Sequence, residues 1–145
     1  MLIQQLASSQ ADAVFIVGQN VSNTTLSGNT LVCFEGAGNL VSSVSYGNAV
    51  NSPSTSNVGL FAGVLNADLA ANAFGLVQAF GARQSIALAV GSTAVSYSAL
   101  GLVLGPAAGK VSAQSNGTTF GLGPIVVLQN DISGAGFYCG LIRAL

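Results

Sequence analysis

Apolar and polar residues alternate most cleanly over residues 85–90, where Ile86, Leu88 and Val90 take turns with Ser85, Ala87 and Ala89. A period of two marks a strand with one buried face. Just upstream, Phe74, Leu76 and Phe80 share a face, with Gln78 the exception, while Gly75, Val77, Ala79 and Gly81 form the other. That second face is small enough for another strand or subunit to approach closely. Residues 12–18 carry apolar side chains on both sides (Ala13, Phe15 and Val17 against Val14 and Ile16), which predicts a strand buried on both faces. Residues 30–34, 58–65, 100–104, 125–129 and 137–142 read as further strands, with a weaker, serine-rich one at 40–46.

The punctuation between these runs is that of a β-protein. Residues 20–25 and Gly28-Asn29 are turn clusters, Gly105-Pro106 stops a strand, and residues 48–57, with Pro53, read as a surface loop. Asn116-Gly117, between 111–114 and 118–120, predicts a type I′ hairpin. Residues 66–72 fit a single helical turn capped by Asn66. Apart from that turn and the first few residues, no stretch sustains a helical period. Turn signals return about every eight to twelve residues. The expectation is an all-β fold, a compact β-barrel or sandwich with Gly-rich turns and at most one or two short helical turns.

Two phrases recur. Phe61-Ala62-Gly63-Val64-Leu65 returns in altered form within residues 137–144, and Leu31-Val32-Cys33-Phe34 resembles the stretch starting at Leu102-Val103-Leu104. They suggest an internal pseudo-duplication, with half-repeats at about 12–83 and 84–145 of a single β-domain. Residues 1–11 precede it as an arm. Its Leu2, Ile3 and Leu6 either belong to a loose end or reach a neighbouring subunit.

Charge changes the picture more than hydrophobicity does. Charged residues are 5 % of the chain, three basic and four acidic, where a soluble domain carries about 25 %. The surface is therefore neutral Ser, Thr, Asn, Gln and Gly, or is covered in part by other subunits; we expect both. Three scattered cations cannot form a phosphate-binding stripe, so no nucleic acid is expected as a partner, nor an anionic membrane surface. No run reaches the roughly 20 apolar residues of a spanning helix. The first residues lack a basic n-region, and the expectation is a protein assembled in the cytoplasm.

Chemistry is thinly provided. With no histidine, triads of the Ser-His-Asp or Cys-His kind are excluded, and metal ligands are lacking. Cys33 and Cys139 sit in apolar runs and read as buried free thiols rather than a disulfide. Asp12, Glu35, Asp68 and Asp131 are isolated in sequence and read as solvated or turn-capping groups. The Gly-rich segments lack the Lys-Ser/Thr ending of a phosphate loop. Arg83 and Arg143 follow apolar runs and read as surface strand ends, or as partners in an intersubunit ion pair. No catalytic residue, cofactor site or metal site is expected, and no enzyme.

From Phe61-Ala62-Gly63-Val64-Leu65, through Ala67-Asp68-Leu69-Ala70-Ala71-Asn72, to Phe74-Gly75-Leu76-Val77-Gln78-Ala79-Phe80-Gly81, the chain resembles the tailed-phage capsid decoration, or cement, proteins. The segment 101–111 and the close 139–145 extend the resemblance over about two thirds of the chain. What it implies is a virion structural protein that binds the outside of a capsid and clamps neighbouring capsomers. Its partner would be the major capsid protein, and it would form a homo-oligomer, with a trimer favoured. Interface residues expected from the residue pattern are Leu2, Ile3, Leu6, Gly75, Val77, Ala79, Gly81 and Arg83. A head-fibre or tail component of the same virion and a glycan- or surface-binding β-domain are the alternatives.

Overall fold

The computed structural model describes residues 13–35, 48–57, 60–90, 102–104, 110–113, 125–127 and 134–144. The arm with Leu2, Ile3 and Leu6, the expected strand at 40–46 and the Asn116-Gly117 hairpin turn lie outside the described residues. The described residues are all-β, with nine strands: β1 (Val14–Asn20), β2 (Leu31–Phe34), β3 (Ala49–Asn51), β4 (Phe61–Leu65), β5 (Phe74–Val90), β6 (Leu102–Leu104), β7 (Lys110–Ala113), β8 (Ile125–Val127) and β9 (Gly136–Arg143).

Pairing runs β1-β3-β2-β4-β5-β7-β6-β8-β9, and two further pairings, β1–β5 and β5–β9, close it on itself twice. The result is two five-stranded rings that share β5. Within each ring the order is the same: the first strand beside the third, then the second, the fourth and the fifth. The first–third pair is parallel in both, β1 with β3 and β5 with β7. Every named strand has a neighbour on both sides along part of its length; on β1 the second neighbour, β3, reaches only Gln19 and Asn20.

The two rings also share a register. Phe15↔Gln78, Ile16↔Val77, Val17↔Leu76 and Gly18↔Gly75 join β1 to β5. The same pairs return 65 residues later, from Phe15 to Phe80 and from Gln78 to Arg143, as Phe80↔Arg143, Gly81↔Ile142, Ala82↔Leu141 and Arg83↔Gly140. The duplication is therefore real in the backbone, and it corrects the sequence pairing. The counterpart of β4 is β8, not β9, and β9 matches the first half of β5. Gly75-Leu76-Val77-Gln78-Ala79 and Gly140-Leu141-Ile142-Arg143-Ala144 are the phrases that carry it. The β2 and β6 correspondence holds. The halves do not abut near residue 83: they overlap inside one strand.

Two apolar clusters form the core. Val32, Val50, Ala62, Leu65 and Val77, with Leu26, Leu69 and the partly buried Ile16, line the first ring from all five of its strands. Leu31, Cys33 and Val64, on the opposite faces of β2 and β4, pack against Ile86, Leu88, Ile125 and Ile142. So β2 and β4 are buried on both faces and tie the halves together. This is why residues 31–33 and 62–65 read as unbroken apolar or small-residue runs.

Three expectations give way. Strand β1 is not buried on both faces, because Val14, Phe15 and Val17 are exposed. Residues 66–72 form no helical turn. Leu69 instead makes an antiparallel bridge with Leu26, exchanging N–H···O bonds of 2.8 and 2.9 Å, and puts its side chain into the first ring. The turn's donors thus find partners across the fold rather than one helical turn back. Finally, the loop at 48–57 contains β3, whose Ala49 and Val50 are core residues.

One close approach fixes the β4–β5 contact. Gly63 has φ +141°, and a Cβ there would lie 2.8 Å from the Gln78 carbonyl carbon, 2.9 Å from Val77 Cγ1, and closer still to the Gln78 oxygen. Both neighbours belong to the ladder and cannot turn away. Gly63→Ala is expected to cost about 3 kcal/mol or more. Gly134→Ala, where an added Cβ meets nothing within 4 Å, should stay within about 0.5 kcal/mol of wild type. Urea denaturation of the two variants checks the contrast.

Candidate interaction surface

Strands β1 and β5 pair antiparallel, and their outward side chains form the most apolar exposed face described. Fractional exposure is 44 % at Val14, 43 % at Phe15, 48 % at Val17, 66 % at Phe74, 48 % at Leu76 and 39 % at Phe80. The register makes the patch contiguous: Val17 lies opposite Leu76 and Val14 opposite Phe80. Cross-strand partners of this kind have Cβ atoms about 5 Å apart. A slip in register between Val14 and Phe15 lets adjacent residues of β1 both reach solvent. Gln19, opposite Phe74, rims the patch and donates from Nε2 to the Asn72 carbonyl at 3.3 Å.

The face expected to meet a neighbour is turned inward. Val77 and Ala79 are fully buried, Gly81 is buried with φ 106°, and Gly75 leaves room for Leu69, whose Cδ1 would stand 2.8 Å from an added Cβ. The close approach inferred for these small residues is met by the chain's own strands. Within this chain Val77, Ala79 and Gly81 are buried, and Gly75 is half-buried against Leu69. The outward partners Phe74, Leu76 and Phe80 were legible in the alternation, but their companions on β1 were not.

Arg83 is likewise not a surface strand end. It lies in the middle of β5, where Nε donates to the Ser85 carbonyl at 2.9 Å and Nη1 to Gln78 Oε1 at 3.1 Å. Its Nη2 donates to Asn29 Oδ1 at 2.7 Å and to the Leu65 carbonyl at 2.9 Å. Gln78 passes the network on, donating from Nε2 to the carbonyls of Phe80 and Ala82. Desolvation lowers the guanidinium pKa below its ordinary value, and the side chain remains a cation. The site of this knot is the irregularity between Arg83 and Ile86, where β5 carries one residue more than β9 opposite it. Inward residues are odd-numbered before it (Val77, Ala79) and even-numbered after it (Ile86, Leu88).

Other polar groups are committed to turns. Asn20, fully buried, donates from Nδ2 to the carbonyls of Thr24 and Leu69 and accepts at Oδ1 from the Ser22 N–H and hydroxyl. Buried Asn57 organises residues 52–57, accepting from the Ser54 N–H at 2.7 Å and donating to Glu35 Oε2 at 3.1 Å. Asp68 accepts from the Gly28 N–H at 2.7 Å. Asp12 and Asp131 lie outside the described residues. Among the described residues there is no group of three His, Cys, Asp or Glu side chains arranged to hold a metal. Cys33 and Cys139 are free thiols, the first buried and the second half-buried. Burial, with the Glu35 carboxylate adding to it, raises the Cys33 thiol to about 11.

Searches against family models, curated proteins and solved structures return no match to this chain.

Two measurements test the polar interior. Replacing Arg83 with Met removes the guanidinium donor from Gln78 Oε1, Asn29 Oδ1 and the Ser85 carbonyl, while the Leu65 carbonyl keeps the Asn29 N–H, and should cost about 2–4 kcal/mol in denaturant unfolding. Lysine, with one ammonium centre, should recover only part of it. Because the folded Cys33 pKa of about 11 exceeds its ordinary 9.0, the folded state holds that proton longer. Stability should therefore fall as pH rises from about 9 to about 11, and Cys33→Ala should flatten that fall.

Proposed function

We propose that this chain is a non-enzymatic virion structural protein, decorating and stabilising the outside of a tailed-phage capsid by bridging neighbouring capsomers. The observation that carries the reading is a charge-poor all-β chain whose β1 and β5 present an apolar face suited to contact between subunits of one shell. Such a face loses little on dehydration, since it buries no charge, and repetition over an icosahedral lattice multiplies weak contacts into strong attachment. The phrases at residues 61–81, 101–111 and 139–145 that resemble the decoration proteins support the same reading. Under it the partner is the major capsid protein, the protein assembles in the host cytoplasm, and it ends in the virion as a homo-oligomer, for which the resemblance favours a trimer. Nucleic acid, membrane and cofactor play no part. A head-fibre or tail position in the same particle differs from this only in copy number.

The strongly exposed rings of Phe74 and Phe137, the latter 69 % exposed, favour a second reading as a glycan- or surface-binding module, since sugars stack on aromatic faces. Purified particles of the encoding phage decide between them. The decoration reading expects the chain on the capsid exterior in high, icosahedrally ordered copy number by electron cryomicroscopy, and capsids lacking it to rupture at lower temperature. Particles without the chain, together with binding of a defined glycan by the isolated protein, would overturn it.

A further inference from the structure

We infer that the outward face of β1 and β5 is a self-association surface, on which a second copy of this chain packs face to face. Three features of the fold point to it. First, each described strand has ladder partners on both sides along part of its length, so strand addition is open only at short stretches such as residues 14–18 of β1, and the apolar face remains. Second, neither β1 nor β5 from Phe74 to Phe80 carries a charged residue. In a two-fold contact every group meets its own copy or a near neighbour, so a charged face would set like charges together; here, among the described residues, the one charge beside the patch is Arg143 of β9, opposite Phe80 at its end. At the Phe74 end the rim is an amide, Gln19, which both donates and accepts and so can pair with itself.

Third, the area suffices. The exposed parts of Val14, Phe15, Val17, Phe74, Leu76 and Phe80 amount to roughly 500 Å² per copy, at the upper end of what a monomer leaves open. Two such faces bury about 1,000 Å² before the rim is counted, the threshold of a specific interface. Antiparallel sheets stack about 10 Å apart, and the staggered heights of Phe74, Leu76 and Phe80 along β5 let the rings of one copy settle between those of the other. The unit is a pair, in place of the threefold cluster implied by the resemblance. It does not depend on the virion reading, because it is a property of the isolated chain.

Sedimentation equilibrium of the full chain tests it. The unmodified protein should run at twice its 14.3 kDa chain mass at roughly 10 μM, and Phe74→Ser with Leu76→Thr should weaken the pairing at least tenfold while leaving the far-ultraviolet circular dichroism unchanged. Phe137→Ser serves as control. Phe137 pairs with Ala87, about 20 Å along β5 from Phe80, and its loss should leave the pair intact. A monomer at roughly 100 μM, a trimer, or a pair indifferent to the Phe74 and Leu76 changes would overturn the inference. Should the double variant fail to fold, the mass of the unmodified chain still decides. A monomer that nevertheless binds capsids would sink self-association and leave the proposed function standing.

Discussion

Strand β5 has to be two strands at once. Its first half closes one ring against β1 and β4, and its second half opens the next ring against β7 and β9. The extra residue near Arg83 keeps the second half in step with β9: Gly81 and Arg83 before it lie opposite Ile142 and Gly140, and Ile86 and Leu88 after it opposite Tyr138 and Gly136, on the same face of β9. Such an irregularity strands backbone carbonyls in a partly buried place, where an unsatisfied acceptor costs about 1–3 kcal/mol. One guanidinium donates to the Ser85 carbonyl on its own strand and ties it to the Asn29 side chain before β2 and to Leu65 on β4, whose carbonyl also accepts from the Asn29 N–H. The bonds are charge-assisted and fixed by the fork of the side chain. The rest of the fold depends on this passage, because the second apolar cluster forms only if Ile86 and Leu88 arrive on the inward side.

Duplication explains why that strand exists. Four register pairs of β1 with β5 reappear between β5 and β9, so residues around Phe80 play the part of β1 in the second ring. Two units are joined by a strand in common, with no linker between them. Leu31, Cys33 and Val64 then pack outward onto the second unit, which makes the pair one core.

Much of this was legible in the residues, and the failures have physical causes. Alternation located both halves of β5 but read them as separate strands, since the phase switches near Arg83. The apolar run at 12–18 gave the position of β1, yet a run apolar on both sides does not say which side meets water. Residues 66–72 have a composition suited to a helical turn, and only the distant bridge to Leu26 decides otherwise. Residues 49–51 are too few to show a period. The inward-facing Val77, Ala79 and Gly81 were grouped as a close-packing face for another strand or a subunit, and in this chain the neighbours are its own strands: small residues announce close packing without naming the partner. Arg83 was misread for a related reason, because a cation inside a strand signals burial only when its acceptors are known. The apolar face emerged only when β1 was laid beside β5.

Native-state hydrogen exchange along β5 bears most directly on this account. If one strand holds both rings, amides paired with β1 and β4 and amides paired with β9 should share a single slowest opening, with matching free energies and denaturant dependence on either side of Arg83. Two separate openings, one for residues 74–80 and another for 86–88, would show the rings to be independent units and contradict it.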